Sequence, residues 1–214
     1  MKKTVYLFAL SALLLSGCTE QTDSTVVASG ATGQNDIPEY YEDYVLSPQV
    51  TDDRTLQKTG QSKQDAKGEA TVKAVNMDSE TYEVGPVELK VAESKTLQLK
   101  PDYSLIDFFH SYTHDQEFGI VKMFVEITNT SDEPVHFAPV ALLNTDAEEM
   151  KLWEDDIYLE ELNGELAAGE TKQGNIGFIV ENSNFDSVKI TTSDVFDNQD
   201  TKIAEAVEFN IELK

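Results

Sequence analysis

Residues 120–129 read IVKMFVEITN. Val121, Met123, Val125 and Ile127 fall on one face of an extended chain, while Lys122, Glu126 and Thr128 fall on the other with Phe124 among them. Period-two alternation of this kind predicts a half-buried β-strand. The C-terminal AVEFNIELK repeats it, with Val207, Phe209, Ile211 and Leu213 inward and Glu208, Asn210, Glu212 and Lys214 outward.

Working outward from these two strands, shorter alternation recurs in EATVKAVN (69–76), GPVELKVA (85–92), TLQLK (96–100), PVHFAPVAL (134–142), NIGFIV (175–180) and SVKITT (187–192). Between them lie NTSDEP (129–134), LNGELAAGE (162–170) and VENSNFD (180–186), whose Asn, Asp, Ser, Gly and Pro supply turn geometry. Short strands separated by turns predict an all-β antiparallel sandwich over residues 68–214. Two stretches break the rhythm. PDYSLIDFFHSYTHDQEF (101–118) predicts a short helical insertion with Asp102 as its N-cap, and DAEEMKLWEDDIYLEEL (146–162) holds the sole tryptophan, Trp153.

The chain begins MKK, continues TVYLFALSALLLSG and reaches Cys18, its single cysteine. A cationic start, an apolar run and small residues have the form of a secretory signal peptide over residues 1–17, and the run is too short to span a bilayer comfortably. LLLSGC (13–18) resembles the bacterial lipobox. That resemblance implies lipidation of Cys18, so that a diacylglyceryl group on the first residue of the mature chain anchors it at the outer face of the cell membrane, stably because two acyl chains hold where one does not. One cysteine cannot make an intrachain disulfide, so the domain must rely on its core.

Residues 18–67 are dominated by Thr, Ser, Gln, Gly and Asp, a composition that predicts a flexible, disordered tether. Within it IPEYYEDYVLSP (37–48) sets Tyr40, Tyr41 and Tyr44 among Glu39, Glu42 and Asp43. Aromatics among acids suit a docking peptide, for a partner or for the protein's own domain, and equally an adhesive stretch of disorder.

The full sequence of 214 residues carries 16 Lys+Arg against 40 Asp+Glu, a formal charge of -24. Loss of Lys2 and Lys3 with the signal leaves 14 basic residues against 40 acidic ones, or -26. Such a surface repels phosphate backbones and excludes nucleic acid as a partner. It suits attraction to cations or a basic partner, or simply solubility outside the cell.

Catalytic signatures are absent: the sequence has no GxSxG, no HExxH and no phosphate-cradling GxxxxGK[ST]. No catalytic residue and no cofactor are expected. Two sets of residues could ligate a metal. His110 and His114, four apart in HSYTH, would share one face of a helix. Asp194, Asp197 and Asp200 cluster in DVFDNQD, although without the spacing of a calcium loop, and a turn-rich hairpin accounts for the same letters.

VKMFVEITNTSDEPVHF, followed later by LAAGETKQGNIGFIVENSNFDSVKITTS, resembles the DUF4352 family of lipoproteins of Gram-positive bacteria. The matching residues are Asn129, Ser131 and Pro134, then Leu166, Gly169, Glu170, Thr171, Gly177 and Phe178, with Ala168 where the family commonly has Pro. The resemblance implies an immunoglobulin-like sandwich outside the cell with no assigned activity. The expected function is an anchored binding module with an envelope protein partner, or alternatively a lipoprotein that binds a cation or a small solute.

Overall fold

A computed structural model describes residues 36–214; the signal at 1–17, Cys18 and the stretch 19–35 lie outside the described residues. The chain forms antiparallel sheets with a sandwich arrangement and one short helical insertion, as its alternation predicts.

The first sheet contains β1 (Ser62–Asp65), β2 (Gly68–Asn76), β3 (Glu80–Val84), β4 (Val87–Pro101), β5 (Phe118–Asn129) and β10 (Thr171–Val180), in the order β1-β2-β4-β5-β10 with β3 paired to β4. Two four-stranded sheets complete the fold. One has the order β14-β11-β7-β8 and uses β7 (Leu142–Thr145), β8 (Met150–Leu152), β11 (Ser187–Thr191) and β14 (Glu208–Glu212). The other has the order β13-β12-β6-β9 and uses β6 (Val135–Phe137), β9 (Gly164–Leu166), β12 (Val195–Asp197) and β13 (Lys202–Ala204).

The inner face of the large sheet packs on both smaller ones. Leu89, Val91, Val121, Met123, Val125, Ile127, Ile176 and Phe178 meet Val135, Phe137, Leu143, Val188, Ile190, Val195, Phe209 and Ile211 in one continuous core. Each such side chain contributes about 1.5–3 kcal/mol by leaving water, which is why a sandwich without disulfides is sustained here.

The two turns singled out by family resemblance meet in space. Buried Asn129 ends β5 and donates through Nδ2 to the carbonyls of Glu133 (2.8 Å), Leu166 (3.2 Å) and Ala167 (3.0 Å), while its Oδ1 accepts from the Ser131 amide and hydroxyl. Gly169, at φ 68° in the left-handed region, closes the opposite turn and donates its amide to the Ser131 carbonyl.

Beyond its inner core, the large sheet is covered on its other side too. One extra residue, Ala92, bulges β4 between Val91 and Glu93. A single insertion inverts the alternation downstream. Leu89 and Val91 therefore point inward, whereas Glu93, Lys95, Leu97 and Leu99 join Ile120, Lys122 and Phe124 on the outer face.

The helical insertion lies on this outer face. Asp102 caps it as expected, with Oδ1 accepting from the Ser104 amide at 3.0 Å, and a 3-10 turn Tyr103–Leu105 runs into α1 (Ile106–Phe109). Phe109 is buried against Phe118.

Residues 36–67 correct the expectation of a flexible tether up to residue 67. From residue 36 the chain crosses the outer face of the sheet, burying Tyr41, Val50 and Leu56, and then adds β1 to the edge of β2 with Ser62 opposite Thr71. Its large apolar groups are few, but they land on a sheet face already built, so little additional burial is needed to order it. The folded unit thus takes in 36–67 together with 68–214.

Candidate functional site

Where the N-terminal segment crosses the middle of the large sheet, four charged side chains are enclosed. Glu93, Lys95 and Lys122 are fully buried and Asp53 is 5% exposed. Lys95 and Lys122 are register partners on β4 and β5, which would set two ammonium groups side by side without relief. Relief comes from Asp53. Lys122 Nζ lies 2.9 Å from both of its carboxylate oxygens, and Lys95 Nζ lies 2.9 Å from Oδ2 and 3.1 Å from its carbonyl.

Glu93 balances the second positive charge, with Oε1 2.8 Å from Lys95 and 3.3 Å from Lys122. The quartet is therefore neutral as a whole, the condition under which ions are tolerated away from water. Burial alone would raise the Asp53 pKa, but the ammonium groups of Lys122 and Lys95 outweigh it and hold the carboxyl at about 2.

The tyrosines roof the cluster. Tyr41 Oη donates to Glu93 Oε1 and Tyr40 Oη to Oε2, both at 2.6 Å, and Lys122 donates to Tyr41 Oη at 3.1 Å. Phe124 supplies the floor: its ring centroid is 4.3 Å from that of Tyr41 and 5.3 Å from that of Tyr44, the latter edge-on. Tyr44 Oη donates to Glu160 at 2.6 Å and accepts from Asn175 Nδ2 at 2.7 Å. Burial, reinforced by the adjoining carboxylates, pushes all three phenols above their ordinary pKa.

The second irregular stretch closes the flank. Asp156 accepts from the amides of Gly177 and Tyr158, and Glu160 accepts from the Asn175 amide. Burial raises the pKa of both carboxyls against these donors. Leu159 and Glu161 take left-handed backbone (φ 56° and 54°) on either side of Glu160, a strained arrangement that aims its carboxylate at β10. Glycines in β10 make room: a Cβ on Gly174 would sit 2.5 Å from Glu160 Oε2, and one on Gly177 would sit 2.6 Å from the Tyr158 ring.

This arrangement clamps the N-terminal segment onto the sheet. Period-two reasoning places Lys122 on the solvent face because it assumes one covered face, and the sheet has two. Asp53, Glu93 and Lys95 carry no motif. Two signals were available: Phe124 on an otherwise polar face, and the tyrosine-rich peptide, which here docks on its own domain.

The metal-ligating candidates are placed elsewhere. His110 and His114 are exposed at a surface pocket of about 340 Å³ that Asp107 and Asp115 also line. Their ring centroids are 5.6 Å apart, in the turn that follows α1. Asp194, Asp197 and Asp200 belong to the β12–β13 hairpin. Asp194 accepts from the Ala206 amide and meets Lys202 at 3.5 Å, and Asp197 accepts from the amides of Gln199 and Thr201. Among the described residues no three His, Cys, Asp or Glu side chains converge on a metal position, and no helix is long and apolar enough to cross a membrane.

The chain belongs to the same family as the Bacillus subtilis (strain 168) protein named "Uncharacterized protein YdhF", to which it is 43% identical over 94% of its own length and 96% of the relative's. No family model matches it, so the resemblance to DUF4352 rests on the sequence residues named above alone. Among solved structures it is similar to a functionally unknown protein from Listeria monocytogenes EGD-e, with a TM-score of 0.51 and 14% identity over 69% of this chain and 89% of that one. A "putative lipoprotein" (ycdA) from Bacillus subtilis subsp. subtilis str. 168 aligns with a TM-score of 0.42 and 19% identity over 63% of this chain and 39% of that one. At 14% identity the likeness to the Listeria protein concerns the fold alone.

Proposed function

We propose that this protein is a lipid-anchored, extracytoplasmic module of the cell envelope that works by binding a protein partner, without catalysis. The observation that carries the reading is the lone Cys18 behind an apolar run in LLLSGC. The clamp adds to it. The described residues begin eighteen positions after Cys18, and from there the segment is held on the outer face of the main sheet. Buried ionisable groups here are paired with one another and are spent on holding that segment.

Fractionation with crosslinking in intact cells, comparing the full chain with Cys18→Ala, tests the proposal. The wild type should sediment with membranes and enrich one envelope protein that the variant loses. A soluble wild-type chain contradicts the anchor, and an anchored chain that crosslinks to nothing contradicts the partner.

A further inference from the structure

The geometry points to an intramolecular amide bond between Lys122 Nζ and Asp53 Cγ, formed inside the buried cluster and joining the N-terminal segment covalently to β5. Lys122 Nζ is equidistant, at 2.9 Å, from the two Asp53 carboxylate oxygens, and Glu93 Oε1 is 3.3 Å from the same nitrogen. Tyr41 Oη bridges the two, donating to Glu93 Oε1 at 2.6 Å and accepting from Lys122 Nζ at 3.1 Å. Nucleophile, electrophile and proton carrier are thus held together with almost no access to water.

The step balances without a co-reactant. One proton leaves the Lys122 ammonium and reaches an Asp53 carboxylate oxygen through Glu93. The freed lone pair then forms the C–N bond at Cγ. A second proton leaves the nitrogen by the same carrier for the protonated oxygen as the C–O bond breaks, and one water departs. Nothing is oxidised or reduced, and Glu93 ends as it began.

Charge accounting favours this outcome. Four buried ions become one neutral amide plus the Lys95–Glu93 pair, already 2.8 Å apart, so neutrality is kept and two desolvated charges disappear. Exclusion of water from the cluster also protects the amide from hydrolysis. The choice of Lys122 over Lys95 follows from the same accounting, because Lys95 is the ammonium in closest contact with Glu93 and must remain charged to balance it. The bond is independent of lipidation at Cys18.

Peptide mapping of the full chain by mass spectrometry tests it. The peptides that contain Asp53 and Lys122 should be recovered joined, lighter than their sum by one water. Glu93→Gln should return them separate and at full mass in a chain whose β circular dichroism is retained. Separate peptides from the folded wild type would overturn the proposal by showing an ionic cluster only. A link at Lys95 would overturn the assignment of the nucleophile, and a link that survives Glu93→Gln would overturn the role of Glu93.

Discussion

Lys122 Nζ and Asp53, 69 residues apart in sequence, meet at 2.9 Å beneath the roof formed by Tyr40 and Tyr41. This pairing joins the N-terminal segment of the described chain to β5, an interior strand of the largest sheet. Its consequences for stability are specific.

Removing one partner of a buried pair leaves an uncompensated charge. Lys122→Met should destabilise the fold by about 3–5 kcal/mol, while Lys122→Met combined with Asp53→Leu, which leaves Lys95 and Glu93 to balance each other, should lose less than the single variant. Denaturant titration of the four members of the cycle checks this. Additive losses would contradict the coupling.

Gly177→Ala would place a methyl group 2.6 Å from Tyr158 and 3.3 Å from Lys122 Cβ, with no exposed end able to yield. The expected cost is about 1–3 kcal/mol. Gly169→Ala meets no atom within 4 Å, so it should lose only the left-handed backbone preference, about 1–2 kcal/mol. Thermal melts of the two variants compare a steric cost in β10 with a conformational cost in the turn before it.

Stability should also vary with pH at both ends of the range. Asp52, paired with Arg54 and Lys63, lies below its ordinary range, so its contribution is complete above the unfolded carboxylate pKa of about 4 and is lost as pH falls below it. Asp156 and Glu160 are raised and act oppositely, gaining stability as pH falls from neutrality to about 4. Tyr40, Tyr41 and Tyr44 stay protonated in the fold, so stability should fall as pH rises above about 10, where unfolded tyrosines ionise. Melting temperature against pH should therefore peak on the mildly acidic side of neutral and drop at both extremes.

Deleting residues 37–48 removes both hydroxyl donors to Glu93 and uncovers Phe124. Lower stability and new binding of an apolar dye are expected. An unchanged melt would contradict the docked arrangement.

What the sequence disclosed followed from regular alternation. The β5 and β14 strands, the Asp102 cap and the two turns that meet at Asn129 were all legible, because each depends on near neighbours. The buried cluster was not. Glu93 and Lys95 reach the outer face only through the bulge at Ala92, which alternation cannot reveal. Residues 36–58 lie across strands instead of pairing with them, so Tyr41, Val50 and Leu56 show no period. The composition of this segment resembles disorder because the sheet, rather than the segment, provides most of the apolar surface.

Amide hydrogen exchange on the full chain tests the clamp most directly. Tyr41, Tyr44 and Leu56 donate their amides to Pro38, Tyr41 and Asp53 within the crossing segment. If the segment is clamped, these amides exchange only with the slow opening that also releases β5. Exchange at the rate of an unstructured peptide, with β5 still protected, would contradict the account.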